Sequence, residues 1–254
     1  MAWNPSQYLA FAGPRMQPAI DLLTRIPQET PRTVVDLGCG PGNIAPLLRQ
    51  RWPDAEIVGL DNSDTMLERA RNANPGETFA FADIETWEPD ARYDVVFSNA
   101  ALQWVPGHDT LFPRLLRRVA PGGTLAVQIP RNAAAPSHTL IGDVIDGGPW
   151  RDRLAPILDA SPTREPAFYR NLLVGQAASL DIWETEYLQV LDGENPVFEY
   201  TKGSQLNRFV DVLQEPEHSR FEQQYRELVA RAYPPEADGR TLFPFRRQFI
   251  LATA

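Results

Sequence analysis

The sequence predicts an α/β fold, a doubly wound sheet that is mostly parallel, with a C-terminal antiparallel strand pair and helical insertions. Three observations support this fold class. Apolar runs rich in β-branched residues alternate with amphipathic stretches up to about residue 130, which is typical of a parallel sheet covered by helices. The first of these runs ends in a glycine-rich turn. After residue 130 the alternation stops, and two further strand-like runs occur before the chain ends.

The strand predictions rest on short apolar runs bounded by turn residues. In chain order they cover residues 33–37, 56–60, 78–82, 93–98, 124–129, 180–190 and 241–252. Helices are predicted at residues 18–25, 43–51, 65–72 and 111–119, with helical spacing again over 204–233. Because strands and helices alternate, the first five strands are expected to be parallel, with right-handed connections. The two late strands are expected to add to one edge of the sheet as an antiparallel pair.

Two of the predicted helices carry recognisable start signals. Gly42 or Asn43 is expected to cap the second helix, and Ser63 or Asp64 the third, because short polar side chains accept bonds from free backbone N–H groups. Pro46 is tolerated because it falls in the first turn of its helix.

Composition excludes several classes of function. The chain has 254 residues and a formal net charge of −9 at pH 7, so it lacks the positive surface of a general nucleic-acid binder and does not favour anionic membranes. One cysteine, Cys39, rules out an internal disulfide and fits a reducing compartment. No early segment combines basic residues with a long apolar run, so we expect no signal peptide, no membrane partner and a cytoplasmic location.

The glycine turn at residues 38–42 is typical of a nucleotide site, because a ligand can approach bare backbone there. The dinucleotide pattern Gly-x-Gly-x-x-Gly/Ala fails when read from Gly38, since position 43 is Asn. Read from Gly40, its permissive form is met by Gly40, Gly42 and Ala45. The glycines alone therefore do not decide whether the ligand is a dinucleotide. Asp61 is suitably placed to bind a ribose whether or not it is.

Acidic and amide side chains at the strand ends favour one ligand. Asp36 precedes the glycines, where a carboxylate would repel a pyrophosphate but attract a cation. Asp61 can accept two ribose hydroxyls, Asp83 can accept an exocyclic amine, and Asn99 ends the fourth strand. A ligand with an ammonium group, a ribose and an adenine amine, but no phosphate, fits this set. S-adenosylmethionine is such a ligand.

The run Val34–Gly42 resembles the first motif of class I S-adenosylmethionine-dependent methyltransferases, whose sheet is Rossmann-like. The resemblance covers about residues 33–130. It implies that Gly38 and Gly40 contact the methionine part of the cofactor, and that Asn99 lies near the sulfonium. Arg15 could reach the cofactor carboxylate. The predicted cofactor-binding residues are Arg15, Asp36, Gly38, Gly40, Asp61 (ribose), Asn62 and Met66 (flanking the adenine), Asp83 and Ile84 (positioning the adenine), and Asn99.

A narrower resemblance, to bacterial trans-aconitate 2-methyltransferases, extends over most of the chain. It rests on Trp3-Asn4-Pro5-x-x-Tyr8, Asp36–Asn43, Arg51-Trp52-Pro53, Asn99-Ala100-x-Leu102-Gln103-Trp104, Val127-Gln128-Ile129-Pro130, Asp181-Ile182-Trp183 and a final Phe-Pro-x-Arg-x-x-Phe-Ile segment. It implies methylation of one carboxylate of trans-aconitate to a monomethyl ester. The alternatives are a methyltransferase for another small acid, a cofactor-binding protein without turnover, and an NAD-dependent oxidoreductase, which Asp36 disfavours.

The predicted domain is single and spans residues 1–254, divided by role. Residues 1–30 are an N-terminal lid, 31–130 the cofactor-binding core, and 131–178 and 195–235 substrate-side insertions. The lid prediction rests on three aromatic residues within residues 3–11. The alternative is that these aromatics simply pack on the domain surface.

A carboxylate substrate is already ionised near pH 7, so no general base is required and no catalytic residue is predicted. Catalysis is expected to rest on orientation and desolvation. A polycarboxylate needs cationic and polar partners, and the predicted substrate-binding residues are Trp3, Tyr8, Gln103, Trp104, Arg131, Arg246 and Arg247. Adjacent strand residues face opposite sides, so only one of Arg246 and Arg247 is expected to reach the site. No metal is predicted, since Cys39 has no partner ligand.

Overall fold

The computed structural model describes residues 16–158, 161–202 and 206–254. The chain divides into two compact units. The first holds the described residues of Met1–Pro130, Pro162–Thr185 and Arg247–Ala254, and the second those of Arg131–Ser161 and Glu186–Arg246. The predicted lid lies mostly outside the described residues, together with its site candidates Trp3, Tyr8 and Arg15. The prediction of a single domain with insertions stays a prediction.

Seven strands of the described chain form one sheet in the order β3-β2-β1-β4-β5-β7-β6. They are β1 Thr33–Leu37, β2 Glu56–Asp61, β3 Thr78–Phe81, β4 Tyr93–Asn99, β5 Val119–Pro130, β6 Ser179–Leu191 and β7 Thr241–Thr253. The first five pair in parallel and β7 pairs antiparallel to β5. Strand order reverses between β1 and β4, and ligands of such sheets bind outside the carboxyl ends of the strands at this point.

The helices alternate with the parallel strands, as predicted. In the first unit they are α1 Gln17–Arg25, α2 Ala45–Arg51, α3 Asp64–Ala73, α4 His108–Arg117 and α7 Pro166–Leu173. In the second unit they are α5 Pro136–Gly147, α6 Arg151–Leu154, α8 Pro196–Thr201, α9 Asn207–Val210 and α10 Glu217–Ala232. Short 3₁₀ turns cover Leu102–Trp104 and Ala155–Ile157. No helix in these described ranges is long and apolar enough to cross a membrane.

One face of the sheet contributes to a large hydrophobic cluster of the first unit. Val35 of β1 and Leu125, Val127 and Ile129 of β5 are fully buried in one cluster with apolar side chains of α4 and α7. The second unit has its own core, in which aromatic side chains such as Phe221 pack together. Burial of these side chains is the main stabilising contribution in each unit.

The opposite face of the sheet carries two of the predicted cofactor-binding residues, Asp36 and Asn99. Side chains alternate along a strand, so Asp36, Asn99 and Gln128 point away from the core cluster, and we call this side the Asp36 face. The register supports the assignment, because Asn99 lies beside Gln128, and Gln128 lies beside Phe249 of β7. Phe249 in turn stacks on Trp183 with ring centroids 4.7 Å apart.

Some element boundaries differ from the predictions. The expected cap by Gly42 or Asn43 is wrong: Ile44 is the N-cap of α2 and no side chain caps it. The glycine turn runs on through Gly42, whose carbonyl accepts from the N–H of Ala45 at 3.2 Å. The predicted Ser63 cap of α3 is confirmed, with its hydroxyl accepting from the Met66 N–H at 3.4 Å.

The fourth helix also begins earlier than predicted. It starts at His108, three residues before the expected position, after Gly107 in a left-handed conformation with φ of 67°. β5 likewise begins at Val119, because Val119 pairs with Tyr93 before the register shifts near Val95. Within β5, the exposed Gly122 has a φ of 76°.

Candidate functional site

The glycine turn after β1 has the conformation that its sequence predicts. Gly38, Gly40 and Gly42 have φ of 73°, 56° and 77°. Residues other than glycine rarely adopt these backbone angles. A Cβ on Gly38 would lie 2.2 Å from the Cβ of Ala101, so the loop after β4 packs directly on this glycine. A Cβ on Gly40 would have no neighbour within 4 Å among the described residues. The turn therefore presents open space above bare backbone, as a ligand cradle requires.

Asp61, at the end of β2, fixes the turn. One carboxylate oxygen accepts from the Gly40 N–H and the other from the Ser63 N–H, both at 2.9 Å. A carboxylate offers about four acceptor positions, so each oxygen keeps one for a ligand hydroxyl. The structure thus holds Asp61 in place with the capacity to accept the two hydroxyls of a ribose.

Asp36 is a buried acid beneath this turn. It is 3% exposed, and burial raises its pKa to about 7, helped by the negative charge of Asp61. Desolvation disfavours the charged form of a carboxyl group, whereas a nearby cation favours it. Near neutral pH the group is therefore poised between its two protonation states, and a positively charged ligand would complete its ionisation.

The loop after β4 brings Asn99 to the same edge. Ala100 adopts φ of 55°, an uncommon conformation for a residue with a Cβ, and its N–H donates to the Gln128 carbonyl at 2.9 Å. This bend places Ala101 against Gly38. The Oδ1 of Asn99 is buried and has no hydrogen-bond partner among the described residues, and an unpaired buried acceptor is suited to a ligand donor.

The segment after β3 forms a further wall. Ile84 is buried, and its Cδ1 would lie 3.6 Å from a Cβ on Gly38. Asp83 is half-buried, and its Oδ1 accepts from the Glu85 N–H at 2.9 Å. Arg114 of α4 holds this segment by donating to the Ile84 carbonyl at 2.6 Å. At the start of α3, the predicted adenine neighbours Asn62 and Met66 are exposed and half-buried, respectively.

A buried chain of hydrogen bonds holds the turn Leu102–Trp104 in place through the Leu102 carbonyl. The Arg164 N–H donates to the Tyr169 hydroxyl at 3.0 Å, which contacts His108 Nδ1 at 2.7 Å, while His108 Nε2 lies 2.9 Å from the Leu102 carbonyl. A carbonyl only accepts, so Nε2 carries the proton and Nδ1 accepts from the tyrosine. Burial lowers the pKa of His108. This histidine is therefore neutral and structural.

Two predicted substrate residues belong to that turn. Gln103 donates from Nε2 to the Ala100 carbonyl at 2.7 Å, so it braces the loop that carries Asn99. Trp104 is 61% exposed, so its ring is available to contact a ligand or lid.

The structure distinguishes the two adjacent arginines of β7. Arg246 is exposed, and its guanidinium lies 3.3 Å from Glu186 within the second unit. Arg131, also in that unit, donates its N–H to the Arg246 carbonyl at 3.0 Å. Arg247 is half-buried in the first unit. It lies opposite Pro130 and two residues before Phe249, so alternation places Arg247 on the Asp36 face.

Within the described ranges, no three histidine, cysteine, aspartate or glutamate side chains are grouped so that they could hold a metal ion. Cys39 is buried, and burial raises the pKa of its thiol well above the usual range.

Comparison with known proteins identifies the family. A family model described as a methyltransferase domain matches residues 34–123. The relative from Azoarcus sp. (strain BH72), named trans-aconitate 2-methyltransferase, is 45% identical over 250 residues, covering 98% of both chains. The chain belongs to the trans-aconitate 2-methyltransferase family. Relatives of the same name from Methylobacterium radiotolerans and Streptomyces coelicolor are 44% and 46% identical, covering 98% of this chain and 97% and 86% of theirs.

Solved structures support the fold class. An S-adenosylmethionine-dependent methyltransferase from Mesorhizobium loti matches with a TM-score of 0.53 and 21% identity, covering 94% of this chain and 98% of that one. A Haemonchus contortus phosphoethanolamine N-methyltransferase, solved with S-adenosyl-L-methionine, matches with a TM-score of 0.55 and 16% identity. That match covers 93% of this chain and 52% of the other. The Rossmann-like methyltransferase sheet predicted for this family member is confirmed.

Family membership and geometry leave the individual residue roles as predictions. The first unit gathers the predicted cofactor residues from Asp36 to Asn99 at one edge of the sheet, while Arg131 and Arg246 lie in the second unit. Sequence reasoning missed the contact of Ala101 with Gly38 and the bond between His108 and Tyr169. The partners in each pair are about 60 residues apart, and no local pattern encodes such contacts.

Proposed function

We propose that the protein transfers a methyl group from S-adenosylmethionine to a carboxylate of trans-aconitate, giving the monomethyl ester. The observation that carries this proposal is the near-full-length similarity to relatives named for that reaction. A cytoplasmic location and the absence of a nucleic-acid partner stay predictions from composition.

The described residues fit the cofactor. Asp61 retains acceptor positions for the ribose hydroxyls, and the open space over Gly40 accommodates the methionine part. Asp36 faces the positive charge, and the unpaired Oδ1 of Asn99 lies near the sulfonium. Ile84 supplies an apolar wall for the adenine. Asn62, Met66 and Asp83 complete the adenine surroundings, and Arg15, outside the described residues, is proposed to bind the cofactor carboxylate.

When bound, S-adenosylmethionine supplies an electrophilic methyl group: a carbon–oxygen bond forms to the substrate carboxylate while the carbon–sulfur bond breaks, leaving its electron pair on sulfur. The attacking carboxylate is already ionised at neutral pH, so no side chain has to remove a proton. The contribution of the protein is orientation and exclusion of water. Correct placement of two reactants lowers a barrier by roughly 7–11 kcal/mol.

Arg247 is the preferred substrate-binding arginine. It is half-buried on the face that carries Asp36 and Asn99, whereas Arg246 is exposed beside Glu186. A guanidinium binds a carboxylate through two parallel hydrogen bonds, which fixes orientation as well as charge. Arg131, Arg246, Gln103 and Trp104 stay candidates for the remaining contacts, together with Trp3 and Tyr8.

Steady-state kinetics across a panel of acids tests the substrate. With S-adenosylmethionine saturating, we expect kcat/KM for trans-aconitate to exceed that for cis-aconitate, citrate and fumarate by about tenfold or more, since each loses or misplaces a bound carboxylate. A dicarboxylate preferred over trans-aconitate would favour a methyltransferase for another small acid. Binding of S-adenosylhomocysteine with no turnover of any acid would favour a cofactor-binding protein.

A further inference from the structure

Gln128 carries a buried amide that has no role in the reaction as proposed so far. Gln128 is 1% exposed, and neither its Nε2 nor its Oε1 has a hydrogen-bond partner among the described residues. Burying an amide without partners costs free energy. A side chain kept in this state is suited to a ligand that supplies the missing partner.

The surroundings of Gln128 place it at the proposed site. It lies on the Asp36 face, beside Asn99 in register, and its backbone carbonyl holds the bend at Ala100. On its other side is the apolar ring of Phe249. Arg247 lies on the same face, one strand over and opposite Pro130. The unpaired amide is therefore flanked by the residue proposed near the sulfonium and by the strand that carries the preferred arginine.

We propose that Gln128 is a substrate-binding residue whose Nε2 donates to a carboxylate of the polycarboxylate substrate beside Asn99. This assignment rests on the proposed function. The amide nitrogen carries two hydrogens, and an ionised carboxylate only accepts. A hydrogen bond to a charged acceptor is stronger than one between neutral groups, so the substrate pairs this donor better than water does. Together, Gln128 and Arg247 supply a neutral and a charged donor on one face.

The chain contains a matched control for this assignment. Gln248 is also fully buried, with both amide atoms unpaired among the described residues. It lies beside Ile129 of the core cluster, and so on the face opposite to Gln128. The two glutamines thus share residue type, burial and lack of partners, and differ in the side of the sheet to which they point.

The experiment compares Gln128→Leu with Gln248→Leu in the full chain. For each variant, Tm, the Kd of S-adenosylhomocysteine, and KM and kcat for trans-aconitate are measured. Leucine removes an unpaired amide in both, so we expect neither Tm to fall. In Gln128→Leu, KM for trans-aconitate rises by about 10- to 100-fold, the effect of losing a hydrogen bond to a charged group, with the Kd of S-adenosylhomocysteine unchanged. In Gln248→Leu, KM is unchanged.

Should Gln128→Leu fail to fold, Gln128→Glu answers the same question. Glutamate keeps the side-chain shape and sets a negative charge against the substrate, so KM is expected to rise at least as much. The assignment is overturned by an unchanged KM in the Gln128 variant, by an equal rise in Gln248→Leu, or by a parallel loss of S-adenosylhomocysteine affinity. A wild-type enzyme inactive on trans-aconitate would instead refute the proposed function, and this assignment with it.

Discussion

At the scale of single residues, Asp36 is the group proposed to select the kind of ligand that the glycine turn accepts. The same glycines satisfy the permissive dinucleotide pattern, but a buried carboxyl beneath them disfavours a pyrophosphate. Burial disfavours the ionised form of this group, and its raised pKa of about 7 reflects that cost. A cationic ligand supplies the compensating charge. Binding of such a ligand should therefore be coupled to loss of a proton from Asp36.

This coupling predicts a pH-dependent affinity. Only the ionised form of Asp36 attracts the ligand ammonium, so the affinity for S-adenosylhomocysteine should rise as pH increases through about 7. Between pH 6 and pH 8 we expect a gain of about tenfold, as linkage requires for one such group. Titration calorimetry measures it. In Asp36→Asn the affinity should be weak and independent of pH; a pH dependence that persists in this variant would assign the effect to another group.

The same carboxyl predicts an effect on stability in the absence of ligand. Its pKa is higher in the folded than in the unfolded protein, so the folded state binds the extra proton and stability falls as pH rises from about 4 to about 7. Asp36→Asn should therefore raise Tm at pH 8 while changing it little at pH 4. A lower Tm at pH 8 would contradict the burial of an uncompensated charge.

At the scale of elements, the site depends on one close approach between two loops. The bend after β4 packs Ala101 on Gly38, and the carbonyl of Gln128 holds the bend. The glycine is thus required twice, for its positive φ and for its missing Cβ. The sequence predicted the first requirement from the motif, but the second depends on a residue 63 positions away.

Gly38→Ala should disable the site. The new Cβ would meet Ala101 at 2.2 Å in a left-handed backbone conformation, which costs roughly 2–4 kcal/mol of stability. We expect a lower Tm and loss of S-adenosylhomocysteine binding. Gly122→Ala is the control, because Gly122 has φ of 76° and a Cβ there would meet no described residue within 4 Å. It should lose only about 1 kcal/mol and keep its affinity. Equal effects in both would mean that backbone strain alone explains the loss.

The boundaries of the elements show where local patterns are insufficient. Ser63 caps its helix as its sequence context predicts, because the bond is made within one turn. The cap expected from Asn43 does not form, since the glycine turn continues to Ile44. His108 starts its helix and bonds Tyr169 of another element, and no short-range pattern indicates that contact.

At the scale of the whole molecule, an acidic chain has to bind a polyanion. With a net charge of −9, the protein repels such a substrate at long range, so binding must come from cations placed locally. The sequence identified Arg246 and Arg247 as candidates but left the choice between them open. Alternation along a strand shows only that the two side chains face opposite sides of the sheet, not which side each one faces. Pairing of β7 with β5 favours Arg247, since the register places it on the Asp36 face.

Replacing each arginine tests this choice. Arg247→Ala should raise KM for trans-aconitate by about 10- to 100-fold, the loss of a charge-assisted contact. Arg246→Ala should leave KM nearly unchanged, because an exposed ion pair such as that with Glu186 contributes at most about 1 kcal/mol. The reverse ranking, with Arg246→Ala the more severe, would contradict the assignment of Arg247.

The most direct test of the proposed reaction is a measurement of methyl transfer itself. The wild-type protein is incubated with methyl-labelled S-adenosylmethionine and trans-aconitate, and label in the acid is compared with the S-adenosylhomocysteine formed. We expect label and S-adenosylhomocysteine in equal amounts, with all acid-bound label released as methanol by alkaline hydrolysis of the ester. Absence of label from trans-aconitate, in a preparation that binds S-adenosylhomocysteine, would contradict the proposed reaction.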